Sequence, residues 1–278
     1  LWLNSGNASP SQRRVDKKMG FVHQNGLVYY QFDIFPPAVV HGVFTRLGGV
    51  SPAPWASLNL GGNLGDTREN IIENRRRIFE VVNRRVETIF DVWQVHSDIV
   101  MCTDRPRPLE MPHSRADAIL TQNPDVTLFM RFADCVPIFL YDPQKNVVGL
   151  VHAGWKGTLA AVTFKAIEVM QSEYGSVPAN ILAAIGPSIG PDHYVVGPEV
   201  IEGVWQTFRE DSETVLIQRD GRTYFDLWQA NVLWLRRAGV TQVEIAGLCT
   251  ACDIHHWYSH RGEAGQTGRF GALIALKS

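Results

Sequence analysis

A mixed α/β fold is what this sequence predicts, and three observations predict it. Runs rich in β-branched and aromatic residues alternate with runs of helical period through nearly the whole chain. No low-complexity linker and no internal repeat interrupts that alternation, so one domain is the simplest organisation. The 278 residues, 45% hydrophobic and 19% charged, are enough to bury a sizeable core.

The elements follow in order. Gly26 to Phe35 and His41 to Thr45 read as strands. Asp66, with Glu69 three positions later, opens a helix that carries Ile71, Ile78, Phe79 and Val82 on one side. Strand-like runs cover Thr88–Val95, Ala116–Thr121, Val126–Phe132, Val136–Tyr141 and Asn146–Val151. A helix is expected from about Thr158 to Met170, because Leu159, Val162, Ala166, Val169 and Met170 recur at 3–4 residue spacing. A strand near Ile181–Ile185, helices over Pro198–Phe208 and Leu227–Ala238, an extended Val243–Leu248 and a closing strand Arg269–Leu276 complete the reading.

Composition removes several function classes. A formal net charge of -2 argues against a nucleic-acid binder that relies on broad phosphate attraction. The run Arg75-Arg76-Arg77 lies in a helical pattern and reads as a solvated face. Four cysteines do not suggest a disulfide framework. No apolar run reaches the roughly 18–20 residues needed to span a bilayer, and the N-terminus lacks the apolar core of a secretory signal. A cytoplasmic protein is expected. Residues 1–18 are polar and unpatterned and read as a leader, leaving residues 19–278 as the catalytic domain.

The most informative stretch is Val151-His152-Ala153-Gly154-Trp155-Lys156-Gly157. It delivers an imidazole from a strand end to a turn with a cation, beside the start of the expected helix. Unpaired first-turn amides and the helix dipole make such a place suited to an anion. The plainer reading is a core-edge histidine before an ordinary turn. Trp93-Gln94-Val95-His96 ends another strand with a histidine, and Arg131-Phe132-Ala133-Asp134-Cys135-Val136-Pro137 puts a thiol between two strands. Cys249-Thr250-Ala251-Cys252, followed by His255 and His256, has the local spacing of a metal site, or else holds structural thiols or a redox pair.

Together these segments resemble the laccase-domain family, also called multicopper polyphenol oxidase-like or YfiH-like. The matching motifs run from about His41 to Leu276: Thr45-Arg46-Leu47-Gly48-Gly49-Val50-Ser51, Ser57-Leu58-Asn59-Leu60, Gln94-Val95-His96, Ala133-Asp134-Cys135, His152-Ala153-Gly154-Trp155, Ile185-Gly186-Pro187 and Cys249-Thr250. The resemblance implies a single layered α/β domain and purine nucleoside phosphorylase activity, with adenosine deaminase and methylthioadenosine phosphorylase activities also attributed to the family. It implies a zinc held by two histidines and a cysteine, which fall on His96, Cys135 and His152. Spacing alone would not join these three residues. Two imidazoles and a thiolate suit zinc and leave a fourth position open.

Arg46, Lys156 and Asn59 are expected to meet substrate or phosphate, with Arg261 and Arg269 as further cations. The family usually has arginine where this chain has Lys156; lysine keeps the charge but loses the bidentate fork. Asp134 is the expected acid/base group, or else a residue orienting a metal ligand. Purine nucleosides and inorganic phosphate are the expected partners. Two other chemistries stay open: copper-dependent phenol oxidation, and hydrolysis with Cys135 as nucleophile beside His152.

Overall fold

The computed structural model describes residues 20–277, so the expected leader over residues 1–18 lies outside it. The strands in chain order are β1 (Phe21–Gln24), β2 (Leu27–Tyr30), β3 (Val39–Phe44), β4 (Ile89–Asp91), β5 (Val100–Cys102), β6 (Ala118–Thr121) and β7 (Thr127–Phe132). They continue with β8 (Val136–Asp142), β9 (Val147–Ala153), β10 (Leu182–Ile185), β11 (Leu216–Arg219), β12 (Arg222–Phe225), β13 (Gln242–Ile245) and β14 (Phe270–Leu276). The helices are α1 (Arg68–Val81), α2 (Trp155–Leu159), α3 (Val162–Tyr174), α4 (Pro198–Phe208), α5 (Ser212–Val215) and α6 (Leu227–Arg237).

Two six-stranded mixed sheets carry the fold, ordered β1-β2-β3-β14-β7-β4 and β13-β10-β8-β9-β6-β5. Most neighbours are antiparallel; β4 on β7, β10 on β13 and β5 on β6 are parallel. Period-2 alternation explains how the sheets stack. All of β9 is buried, with Val147, Val151 and Ala153 in one core and Val148 and Leu150 in another. The second core lies between the sheets and gathers Val43, Leu128, Met130, Ala272 and Ile274 from the first sheet against Phe139, Tyr141 and Ala184 from the second. Helices α3, α4 and α6 cover the outer face of the second sheet through Ala166, Met170, Val204, Phe208 and Leu235. Helix α1 covers the outer face of the first through Ile78, Phe79 and Val81. The result is four layers, helix–sheet–sheet–helix. Among the described residues no helix is long and apolar enough to cross a membrane.

Several boundaries differ from the sequence reading, each for a local reason. The strand expected over Gly26–Phe35 stops at Tyr30; it is one arm of a hairpin with Phe21–Gln24. Phe32 and Phe35 remain buried between the sheets but outside the ladder, just before Pro36 and Pro37, which lack amide donors. The Thr88–Val95 run forms a ladder over Ile89–Asp91 and a single further bridge from Trp93 to Arg115; its start is lost because the amide of Thr88 closes a turn to the carbonyl of Arg85 at 3.1 Å. Thr67, not Asp66, caps α1, its hydroxyl accepting from the Asn70 amide at 3.3 Å. Asp66 braces that turn from outside, accepting from the Thr67 amide at 2.8 Å.

The helix expected from Thr158 to Met170 is broken. Ala161 adopts a left-handed backbone with φ 62°, which ends α2 after five residues and restarts the chain as α3. No long helix dipole therefore points at the residues after His152, which removes that part of the expected anion site. The arginine run also divides. Arg76 and Arg77 pair with Glu73 at 2.8 Å on the outer face. Arg75, a turn from Ile71 and Ile78, lies 5.8 Å over the ring of Phe129 instead of in solvent.

Candidate active site

The second sheet ends where its strands open towards a cavity, and alternation decides which side chains arrive there. His152, next to last in β9, falls on the inter-sheet side, with its ring centroid 5.5 Å from that of Phe132. Cys135 stands one residue before β8, directly after Asp134, whose φ of 84° turns the chain sharply between β7 and β8. His96 comes from the loop after β4 and is itself left-handed, with φ 60°. Such strained positions persist where the surroundings over-determine them. Here the surroundings are one carboxylate.

Asp117, fully buried at the edge of β6, organises this corner. Its oxygens accept from the amides of Val95 at 3.2 Å, His96 at 3.0 Å and Ser97 at 2.6 Å, and from the Ser97 hydroxyl at 2.7 Å. The same carboxylate lies 2.8 Å from His152 Nδ1. Burial alone would raise the Asp117 carboxyl, but the His152 imidazole and the Ser97 donors outweigh it and bring it to about 2. An ionised Asp117 accepts from a proton-bearing Nδ1 and so leaves the other ring nitrogen of His152 for Cys135.

The three expected ligands do converge. One donor atom from each of His96, Cys135 and His152 lies within 4.8 Å of the others, and Cys135 Sγ is 3.8 Å from His96 Nε2. Tetrahedral zinc, with bonds of about 2.3 Å to sulfur and about 2.0–2.1 Å to nitrogen, spaces its N and S ligands at about 3.6 Å. The donor set and its spacing fit that ion. Gly154 keeps the space open, because a Cβ there would stand 2.9 Å from both Cys135 Sγ and His96 Cδ2. Burial disfavours the thiolate, yet the His152 and His96 imidazoles reverse this and bring Cys135 down to about 6. Burial likewise disfavours a charged His152, and Cys135 with Asp117 overturns it, to about 9. The corner favours a thiolate.

Beside this trio lies a cavity of about 270 Å³ lined by His96 and Cys135 together with Asp134, Trp155, Lys156, Ile189, Tyr194 and Leu227; His152 sits behind that lining. Lys156 is exposed and makes no ion pair among the described residues; its Nζ stands 5.2 Å over the ring of Trp155. Asp134 is heavily engaged. It accepts from the Thr250 hydroxyl at 2.6 Å, the Ser259 hydroxyl at 2.7 Å and the Arg261 amide at 2.6 Å, fastening two loops beside Cys135. Burial pushes the Tyr194 phenol well above its ordinary value, and the charge on Cys135 adds to this.

The structure does not bring Arg46 or Asn59 to this lining. Arg46 Nη1 pairs with Glu263 at 2.9 Å and donates to the carbonyl of Ile254 at 2.9 Å. Its Nε donates to the carbonyl of Ala56 at 2.9 Å, and the guanidinium stacks 4.3 Å over Tyr258. Asn59 is fully buried, giving its amide hydrogens to Gly61 and Asp66 and accepting from the amides of Gly61 and Arg269. Both residues spend their capacity on the loops beside the cavity. Arg261 Nη1 donates to the carbonyl of Val195 at 3.0 Å, and Arg269 Nη1 to that of Gly268 at 2.8 Å.

Asp117 and Tyr194 are the residues that sequence reasoning missed. A carboxylate between two alanines, Ala116 and Ala118, in a strand-like run was the available signal, since burying an unpaired charge is costly. Nothing local marked Tyr194.

Known proteins share this arrangement of chain. Residues 40–277 match the family described as "Multi-copper polyphenol oxidoreductase laccase". A purine nucleoside phosphorylase from Deinococcus radiodurans is 40% identical over 242 residues, 86% of this chain and 90% of the relative. Purine nucleoside phosphorylase YfiH from Escherichia coli is 33% identical, over 87% of this chain and 95% of its own. The crystal structure of YlmD from Geobacillus stearothermophilus superposes with a TM-score of 0.87 at 32% identity, covering 93% of this chain and 99% of that one.

Proposed function

The chain belongs to the multi-copper polyphenol oxidoreductase laccase family, and from that premise we propose that it is a zinc-dependent purine nucleoside phosphorylase of the cytoplasm. The observation that carries the reading is a His–Cys–His trio beside a cavity with an exposed lysine, in a chain 40% identical to a protein named for that activity. His96, Cys135 and His152 hold the metal in this reading. Bound there, zinc supplies a Lewis-acidic centre that polarises an oxygen ligand.

In phosphorolysis a phosphate oxygen attacks C1′ of the ribose and the glycosidic C–N bond breaks. Its electron pair leaves on the purine, which takes up a proton. The ribose gains positive charge in the transition state and the base gains negative charge, so fixed groups around the cavity are worth most if they are aimed beforehand. Lys156 faces phosphate. Tyr194, kept protonated by burial, offers its hydroxyl hydrogen to the departing base. Asp134 holds the Thr250 and Ser259 loops in place, and its carboxylate on the cavity lining is the acid/base group of this reading. Adenosine deamination in the same cavity is a different step, in which water attacks the purine carbon bearing the amino group and ammonia leaves; methylthioadenosine phosphorolysis repeats the attack on C1′ with a methylthio group on the ribose.

The direct test is a panel of inosine, adenosine, guanosine and methylthioadenosine, with and without inorganic phosphate, read by product mass. Ribose 1-phosphate formed only with phosphate is the expected result. Base release that ignores phosphate, or phenol oxidation with no nucleoside turnover, overturns the reading in favour of hydrolysis or copper chemistry.

Lys156 gives a second expectation. A hydrogen bond to a charged partner is worth about 1.5–3 kcal/mol, so Lys156→Ala should raise KM for phosphate by about 10-fold or more. KM for the nucleoside should move far less, and Lys156→Arg should restore phosphate binding. An unchanged phosphate KM in the alanine variant removes Lys156 from the phosphate site.

A further inference from the structure

We propose that His193, Cys249 and Cys252 form a second metal site, for a thiophilic divalent cation of the zinc class, in the loops behind the cavity wall. The three donor atoms lie within 4.8 Å of one another. Cys252 Sγ is 3.3 Å from His193 Nδ1, and Cys249 Sγ is 3.8 Å from the same nitrogen. Those distances bracket the roughly 3.6 Å that tetrahedral zinc sets between N and S ligands, so closing on the ion needs shifts of only a few tenths of an ångström.

The backbone holds this geometry. The amides of His193 and Tyr194 both donate to the carbonyl of Gly190, at 3.0 and 3.2 Å, curling that loop until His193 meets the thiols. The amide of Thr250 donates to the carbonyl of Ser188 at 3.0 Å, fixing the start of the Cys-x-x-Cys turn against the same loop. The Gly190 amide lies 3.2 Å from Cys249 Sγ, an N–H···S bond that stabilises a thiolate and orients it for a metal. His193 and Cys252 are exposed, so an ion in solution has a way in.

The partners suggested by local spacing, His255 and His256, are engaged elsewhere. Their rings pack on each other at 4.8 Å, and His256 Nδ1 is 2.7 Å from Asp253 Oδ2. The third ligand comes instead from a loop 56 residues before Cys249. An ion at this place ties the loop of Ile189 and Tyr194, which line the cavity, to the loop of Thr250, which holds Asp134. It serves as a staple of the cavity wall, whatever reaction the cavity performs.

The test is limited alkylation of the reduced, chelator-stripped full chain by iodoacetamide, with and without added Zn(II), resolved cysteine by cysteine by peptide mass mapping. A metal-bound thiolate is a poor nucleophile, so zinc should slow alkylation of Cys249 and Cys252 by about 10-fold or more and leave exposed Cys102 unchanged. His193 is exposed, so His193→Ala leaves the fold intact; it should cancel protection at both cysteines while Cys135 stays protected. Cys135→Ser should leave Cys249 and Cys252 protected, which separates this site from the first. Rates at Cys249 and Cys252 unaffected by zinc, protection that survives His193→Ala, or a Cys249–Cys252 disulfide that forms in preference to zinc uptake would each overturn the site.

Discussion

Replacing Cys135 by serine is expected to remove the metal beside the cavity and lower turnover by about three orders of magnitude. The figure follows from scale: a Lewis-acidic ion contributes several kcal/mol to a transition state, and about 1.4 kcal/mol is tenfold in rate. Metal content by mass spectrometry and kcat on the same sample check both halves. The same position also separates ligand from nucleophile. A thiol that only holds metal can be replaced by another nitrogen ligand, so Cys135→His should keep some metal and some turnover. Intact-protein mass after rapid quench of the unmodified enzyme should show no substrate-derived increase, because phosphate itself attacks the sugar. A kinetically competent adduct on Cys135 would establish the hydrolase reading instead, with His152, beside that thiolate, as its base.

Asp91→Ala is expected to have the largest effect on stability, about 3–5 kcal/mol, the usual cost of breaking a buried ion pair from one side. Asp91 is fully buried, and its Oδ1 accepts from Arg107 Nε at 2.8 Å and Nη2 at 2.6 Å. Its Oδ2 lies 3.0 Å from His113 Nε2 and 3.4 Å from Arg131 Nη1. Alanine would leave Arg107 at 7% exposure and Arg131 at 17% with no carboxylate between them. Burial alone would raise the Asp91 carboxyl, but His113, Arg131 and Arg75 carry it well below the ordinary carboxylate range. A depressed folded-state value stabilises above the unfolded value, so this contribution is complete above about pH 4 and is lost as pH falls further. Urea midpoints should therefore fall between pH 7 and pH 3 by more in the parent protein than in Asp91→Ala, where Asp117 and the other depressed carboxylates still lose their share. Equal pH dependence in the two proteins would discharge Asp91 from this role.

What could be read in advance depended on whether the signal was local. The long runs at β7, β8, β9 and β14 were legible because their apolar residues span whole strands. Three-residue β5 and four-residue β1 carry too few residues to show a period. The β11–β12 hairpin did carry a signal, Asp220-Gly221, whose positive φ values of 50° and 69° suit a two-residue turn. The break at Ala161 had none, since an alanine in a helical pattern gives no hint of a left-handed backbone. Within the candidate site, His96 and Cys135 stand 39 residues apart, so only likeness to a family could join them. The glycine-rich neighbours of Arg46 suggest a phosphate, but they carry no trace of Glu263 and Tyr258, some two hundred residues away, which engage it in the fold.

The position of β14 has a consequence for how the protein is made. This strand lies between β3 and β7 in the first sheet, paired antiparallel with both. As a ribosome releases the chain from its N-terminal end, β3 and β7 emerge long before residues 270–276 and must wait with open edges. Val39, Val43, Leu128 and Met130 on those strands are apolar and buried in the finished protein, the kind of surface that draws nascent chains into aggregates. The inter-sheet core closes only when β14 slots in, and with it the wall behind Phe132 and His152. A chain cut short before Phe270 lacks the strand that joins β3 to β7, and it is expected to be a client for chaperones and proteases, not a slower enzyme.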